Sequence, residues 1–196
     1  MIAWIFWHTR HADAGESDYR TALRAFHDLI LTTAPEGFLG VRVLRHEALP
    51  WLVSATEVYE DRYFVESSAA LDALDEAALA AFSQDAHARI ARLAATATAG
   101  LYRLRAGEPL PSPAHTFWMS KPRQDPYAPF IERLSRAGTV WSRKMVLGPA
   151  PEFCVEREND DEGLHSLAEL HCYMDMARCL PARWTGRSTR GAFRKS

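Results

Sequence analysis

Cysteine is scarce in this chain: Cys154, Cys172 and Cys179 are an odd number, all late in the sequence, and make no disulfide framework. A reducing cytoplasm with free thiols is the expected setting. No cationic segment precedes the apolar stretch 2–7, so no secretory signal is read there. No apolar run approaches the roughly 18 residues that a membrane span needs, and no membrane partner is expected. Charge of one sign is missing as well. The formal net charge of −2 gives no global field to recruit nucleic acid or anionic lipid. Lysine is rare, with 3 against 20 arginines, a bias that a GC-rich genome also produces and that carries no mechanism. The chain holds no glycine-rich phosphate loop, dinucleotide fingerprint, zinc-metalloprotease helix or nucleophile elbow. Nucleotide-dependent and hydrolase classes drop accordingly, and no RNA-binding aromatic motif takes their place.

What the chain has is core. Hydrophobic residues make up 47% and charged residues 24% of 196 residues, enough for one large domain or two small ones. Residues 2–8 read as a strand with Ile2, Trp4 and Phe6 on one side and Ala3, Ile5 and Trp7 on the other. A strand apolar on both faces is buried on both faces, so something covers each side of its sheet. A helix follows, with Ser17 as its expected N-cap and Tyr19, Ala22, Leu23, Phe26 and Ile30 on one stripe. Segments 38–46 and 52–64 read as strands, 67–99 as an alanine-rich helical region in two pieces with Ser83 as a second N-cap, and 101–105 as a short strand. After the proline-rich segment 107–113 the pattern begins again. Strand 115–121, a short helix from Tyr127, strands 140–147 and 153–156, and a helix over 162–179 are expected. No final strand is evident, so the second half reads as truncated.

The order is therefore β-α-β-β-α-β in residues 1–106, a linker at 107–113, a second and shorter half at 114–181, and a basic flexible tail at 182–196 carrying Arg183, Arg187, Arg190, Arg194 and Lys195. Local echoes support a repeat: Tyr19 and Tyr127 open equivalent helices, and Trp51-Leu52-Val53 resembles Phe153-Cys154-Val155. Two consecutive halves of this order, with sheets apolar on both faces, resemble the dimeric α/β-barrel superfamily. The resemblance implies an α+β fold of ferredoxin-like units, with two sheets packed face to face and helices outside. It also implies a small molecule in a cleft of the unit, and a pseudo-dimeric barrel or pairing with another subunit as a homo-oligomer.

Four groups of residues are candidates for chemistry. His8 and His46 fall at the same end of the first sheet, two strand spacings or about 10 Å apart, with Trp51 beside them. Two imidazoles near an aromatic ring suit proton transfer. The run 57–63 carries acids where a central strand is mostly apolar, and alternation puts Glu57, Tyr59, Asp61 and Tyr63 on one side and Glu60 and Arg62 on the other. In the third group His165, Glu169, Cys172, Met176 and Cys179 form one stripe of the late helix. His165, Glu169 and Cys172 are weak metal candidates, because neighbours on a straight helix do not converge on one ion, and an assembly surface suits the stripe better. Arg143, Lys144, Lys121 and Arg123 are read as strand-surface charge.

The expected function is a small-molecule-binding protein, extending to a cofactor-independent, monooxygenase- or isomerase-like enzyme on an aromatic or polyketide-like metabolite. Glu57 or His46 would be the base, with His8 beside it, and Tyr59 or Arg42 the orienting donor. Trp4, Phe6, Arg42 and Trp51 would contact the ligand. No cofactor is favoured. A haem or metal carrier and a non-catalytic assembly protein are the alternatives.

Overall fold

Residues 2–8 do form a strand buried on both faces, and the rest of the architecture follows from what covers each face. β1 (Ile2–Arg10) leads into α1 (Glu16–Thr33), then β2 (Phe38–His46) and β3 (Val58–Val65). Next come α2 (Ala70–Leu79), α3 (Ala81–Leu93) and β4 (Ala94–Ala106), followed by β5 (His115–Met119), α4 (Tyr127–Ser135), β6 (Thr139–Arg143), β7 (Phe153–Arg157) and β8 (Met174–Arg187). This computed structural model describes residues 1–46, 49, 51, 52, 57–145, 147–158 and 174–187, with backbone alone for 174–187, Ala81 and Phe82. Among them no helix is long and apolar enough to cross a membrane.

All neighbouring strands are antiparallel, and they close into a barrel in the order β1-β3-β2-β8-β5-β7-β6-β4. Period-two alternation then sorts every strand into a lumen set and an outer set. Ala3, Ile5, Trp7, Phe64, Tyr102, Trp118, Trp141 and Cys154 fill the lumen. The outer face of the first sheet packs Ile2, Val41, Val43, Tyr59 and Tyr63 against the buried stripes of α1, α2 and α3. On the opposite sheet Phe117, Met119, Val140, Phe153 and Val155 pack under Phe130 and Leu134 of α4. Gly100 faces Ile5 across the ladder, and a Cβ there would stand 3.2 Å from the Trp7 ring. The missing side chain lets that indole lie against β4.

Several expectations are corrected. Residues 94–99 are strand, not helix: the alanines alternate with Thr96 and Thr98, and pairing with β1 overrides helix propensity. Residues 174–187 are one strand, where a helix to 179 and a tail from 182 were expected. That strand pairs with both β2 and β5, so it supplies the closing strand that the pattern did not reveal. Pro181 falls between Leu180 and Trp184, where the register against β2 shifts, one of the few places a barrel strand accepts proline. Of the proposed late-helix stripe, Met176 and Cys179 are strand positions opposite Phe117 and His46. His165, Glu169 and Cys172 lie outside the described residues. Neither serine is an N-cap: α1 is capped by Gly15, and Ser83, inside α3, donates its one hydroxyl proton at the α2 end, where the Ala77 carbonyl at 2.7 Å is the nearest acceptor.

The lumen also holds charge. Arg42 of β2 and Arg62 of β3 both donate to Glu156 Oε1 of β7, on the far sheet. Arg62 Nε donates to Glu60 Oε1 at 2.5 Å, and Glu60 Oε2 accepts from Trp7 Nε1 at 2.9 Å and meets His46 Nε2 at 3.2 Å. All four charged side chains are at most 1% exposed. Among the described lumen side chains these two cations and two anions cancel while their pairs stay intact. Burial alone would raise the carboxyl of Glu60, but Arg62 and then His46 outweigh it and hold it well below the usual range. Cys154, fully buried beside Arg62, has its thiol pushed up to about 12 by burial and is inert.

Removing one member strands a buried charge, whereas removing a matched pair does not. Glu156→Ala is expected to cost about 3–5 kcal/mol of unfolding free energy, and Arg42→Met with Glu156→Leu less than that single change. Urea unfolding of the three proteins checks it, and a loss under about 1 kcal/mol for Glu156→Ala would show that the lumen does not depend on the pair.

Candidate functional site

The outer face of the first sheet can be read as three rows across β4, β1, β3 and β2. Leu101, Trp4, Tyr63 and Val41 form one row, Ala99, Phe6, Asp61 and Val43 the next, and Ala97, His8, Tyr59 and Arg45 the last. Along β4 the row ends shrink from leucine to alanine. The helices above span from α1 to α3, so the small β4 side chains leave space beside Phe6 and His8. That space is a cavity of about 310 Å³ between the sheet and the three helices, within the range of small-molecule sites. Trp4, Phe6, Tyr19, Phe26 and Tyr63 supply aromatic wall, Leu23, Ile30, Leu74 and Ile90 aliphatic wall, and exposed Asp75, Leu79, His87 and Thr96 lie at the solvent side.

Polar groups converge on the sheet side. The Tyr19 hydroxyl lies 2.5 Å from His8 Nδ1, and His8 Nε2 lies 3.2 Å from Asp61 Oδ2. Tyr19 can donate to Nδ1, which leaves the proton on Nε2, the ring nitrogen nearer the carboxylate. His27 Nε2 sits 3.0 Å from the same Asp61 oxygen and 2.9 Å from the Tyr63 oxygen, whose own proton is aimed at Asp61 Oδ2 at 3.5 Å. His8, His27 and Asp61 are each at most 3% exposed. Burial would raise the Asp61 carboxyl, but His8 and then His27 outweigh it and keep it well below the usual range. Burial, followed by the Asp61 charge, pushes the Tyr19 and Tyr63 phenols up, so both remain donors. The site is thus an aspartate kept ionised, two imidazoles and two phenols in one connected line.

Of the expected residues, Trp4, Phe6 and His8 line this cavity. Tyr59 stacks on the His8 ring, centroids 5.8 Å apart, and lies buried behind it without lining the space. Glu57 does not reach the cavity; it bonds Arg10 at 3.0 Å and Arg45 at 3.3 Å at the sheet end and is partly exposed. Arg42, His46 and Trp51 lie on the lumen side, Trp51 packing edge-on against Trp7 and Trp118. The expected His8–His46 pair does not form. Tyr59 is opposite His8 while Val58 is opposite His46, and one step of register puts the two rings on opposite faces. The sequence reading missed Asp61, Tyr19, Tyr63 and His27 as site residues. Their signal was present: Asp61 and Tyr63 share the alternation side of Tyr59, and His27 sits within the buried stripe of α1.

No protein-family model and no curated protein sequence matches the chain. Solved structures do. A Fusobacterium nucleatum protein named "Putative monooxygenase" superposes with a TM-score of 0.60 at 10% identity, covering 91% of this chain and 90% of its own. A second "putative monooxygenase", from Lactobacillus acidophilus, gives 0.57 at 12% identity, covering 95% and 96%. The chain has the fold of the dimeric α/β-barrel superfamily. At such identities the likeness is one of fold, and the chemistry rests on the residues above.

The ionised carboxylate makes stability acid-sensitive. A carboxyl held below its ordinary value stabilises the fold fully above that value, about 4, and the contribution is lost as pH falls through it toward the folded value. Urea midpoints are therefore expected to fall steeply below about pH 4. Asp61→Asn should be less stable at pH 6 and lose less on going to pH 3.5, and parallel midpoint–pH curves for parent and variant would refute the assignment.

Proposed function

We propose that this chain binds a planar aromatic molecule in the cavity between the first sheet and α1–α3, and moves a proton on it without a bound cofactor. The observation that carries the reading is the aromatic-walled space that ends on the Tyr19–His8–Asp61 line. An acidic C–H or O–H of the ligand gives its proton to the Tyr19 oxygen as the Tyr19 proton passes to His8 Nδ1. The imidazolium so formed lies 3.2 Å from the Asp61 carboxylate, which stabilises it. Reversal returns the proton, at the same carbon or at another, which is isomerase-like chemistry; carbanion formation is also the first step a cofactor-free monooxygenase needs. Two structural neighbours carry the monooxygenase name. We further read the barrel as two ferredoxin-like halves in tandem, a reading supported by the matching strand orders β4-β1-β3-β2 and β8-β5-β7-β6.

The haem alternative fits the cavity poorly. His8 Nδ1 is held by the Tyr19 hydroxyl and its Nε2 lies 3.2 Å from the Asp61 carboxylate, and among the described residues no cluster of three His, Cys, Asp or Glu is placed to hold a metal ion. Among the described residues that line the cavity, the other imidazole that could ligate a haem is His87, at the solvent side. A Soret band in the purified protein, lost in His87→Ala, would establish that reading instead.

Binding and proton transfer have separate tests. 1-Naphthol is expected to bind the parent in calorimetry, and Ala97→Leu, which fills the space opposite His8, to weaken it at least about tenfold with little change in Tm. Deuterium washout from the C1 position of 2-tetralone, followed by NMR, should run faster with protein than in buffer, and His8→Gln and Tyr19→Phe should each slow it at least about tenfold. Washout no faster than in buffer, with naphthol still bound, would leave a binding protein and remove the catalysis.

A further inference from the structure

Fixed charge around the cavity is of one sign. Asp61 and Asp75 are its acidic lining residues, and among the described residues no lysine or arginine lines it. Asp61 is buried and answered by His8, His27 and Tyr63. Asp75 is exposed, and it has no ion pair or hydrogen bond with another described residue. Its neighbours three and four positions away on α2, Asp72, Leu71, Ala78 and Leu79, offer no cation. Leu74, Asp75, Ala78 and Leu79 all line the cavity, and at about 100° per residue they form one continuous stripe of α2 with Asp75 inside it. The arginines of α1 and α3 are engaged or turned elsewhere: Arg20 and Arg24 pair with Glu16 and Asp28, and Arg89 and Arg92 lie off the stripe of His87, Ile90, Ala91 and Ala94 that lines the space. α2 starts with Ala70 against Gly37, at the Ile2–Val65 end of the sheet, and so enters over the end remote from His8.

We propose that the molecule this cavity selects is an arylalkylamine, an aromatic ring on a short arm that ends in a protonated amine, with the ammonium beside the Asp75 carboxylate at the mouth. The inference rests on the aromatic-binding reading above and narrows it. The ring lies along Trp4, Phe6 and Tyr63, and the arm leads out past exposed Leu79. At an exposed mouth the ammonium keeps most of its water while the ring is buried, so its charge costs little desolvation. A carboxylate on the same arm meets Asp75 in the field of Asp72 and Glu76, the other acids of a helix that holds no basic residue. Like charges brought together at a binding surface reject the wrong partner. Apolar area inside the cavity then sets how tightly the ring is held, and the sign of charge at the mouth sets which ring-bearing molecule is taken.

The test is calorimetry of the full chain at pH 7 and low salt with two series that keep the ring and change the end of the arm: tryptamine, tryptophol and indole-3-propionate, and 1-naphthylmethylamine, 1-naphthylmethanol and 1-naphthylacetate. The amine is expected to bind about threefold tighter than the alcohol and at least about tenfold tighter than the carboxylate. Asp75→Asn should bring amine and alcohol level, and Asp75→Lys should put the carboxylate ahead of the amine. Both replace an exposed residue, so Tm should hold. On the parent chain the advantage of the amine should also shrink as sodium chloride is raised from about 0.02 to about 0.5 M. Equal binding of amine and alcohol, tighter binding of the carboxylate through His87 at the same mouth, or an amine preference unchanged in Asp75→Asn overturns the inference and leaves the aromatic-binding reading intact. Binding by no member of either series overturns both.

Discussion

Everything in this molecule hangs on how charge is carried through the barrel lumen. Arg42 and Arg62 come from β2 and β3 and Glu156 from β7 across the barrel, so the ion pairs cross the space that the indoles of Trp7, Trp118 and Trp141 otherwise fill. A lumen of tryptophans alone would specify contact without specifying register, since aromatic packing is tolerant of small slides. Guanidinium–carboxylate pairs are directional, and a shift of β7 by one residue would turn Glu156 outward and leave Arg42 buried without its carboxylate. The network thus fixes which face of each strand is inside. It thereby fixes which residues of β1 and β3 face the helices.

That assignment is what makes the cavity. Once Trp7 and Glu60 belong to the lumen, Phe6, His8 and Asp61 must face α1–α3. The two faces of the same sheet then take opposite electrostatic solutions. Inside, the described cations and anions are matched one to one. Outside, a single carboxylate is shared by two histidines and one tyrosine, beside a wall of alanines that does not fill the space. Close packing is the rule in protein interiors. A row of small side chains next to a costly polar cluster departs from that rule on two counts at one place, as functional sites tend to do.

The sequence made the first sheet legible because its signals were local: two-sided apolarity in β1, alternation in β3 and the α1 stripe. Partner choice was less legible. His8 and His46 looked like neighbours because strand order was inferred correctly while register was not, and a single residue of offset separates one face from the other. Residues 94–99 read as helix from their alanines, although what those positions form is decided by β1 alongside. β8 was hidden for the same reason in stronger form. A strand that holds a proline and several arginines has little intrinsic signature, and its place is set by two open sheet edges remote in sequence.

The position of β8 also governs how the chain must assemble. It is the last described strand, yet it pairs with residues 40–46, so the ring cannot shut until residues 174–187 have been made. Until then β2 and β5 are both bare edges beside an aromatic interior, and closing the loop between them carries the slowest entropy of the fold. Folding of this barrel is in that sense a race at one seam, between a late intramolecular strand and any other chain able to pair with the same edges.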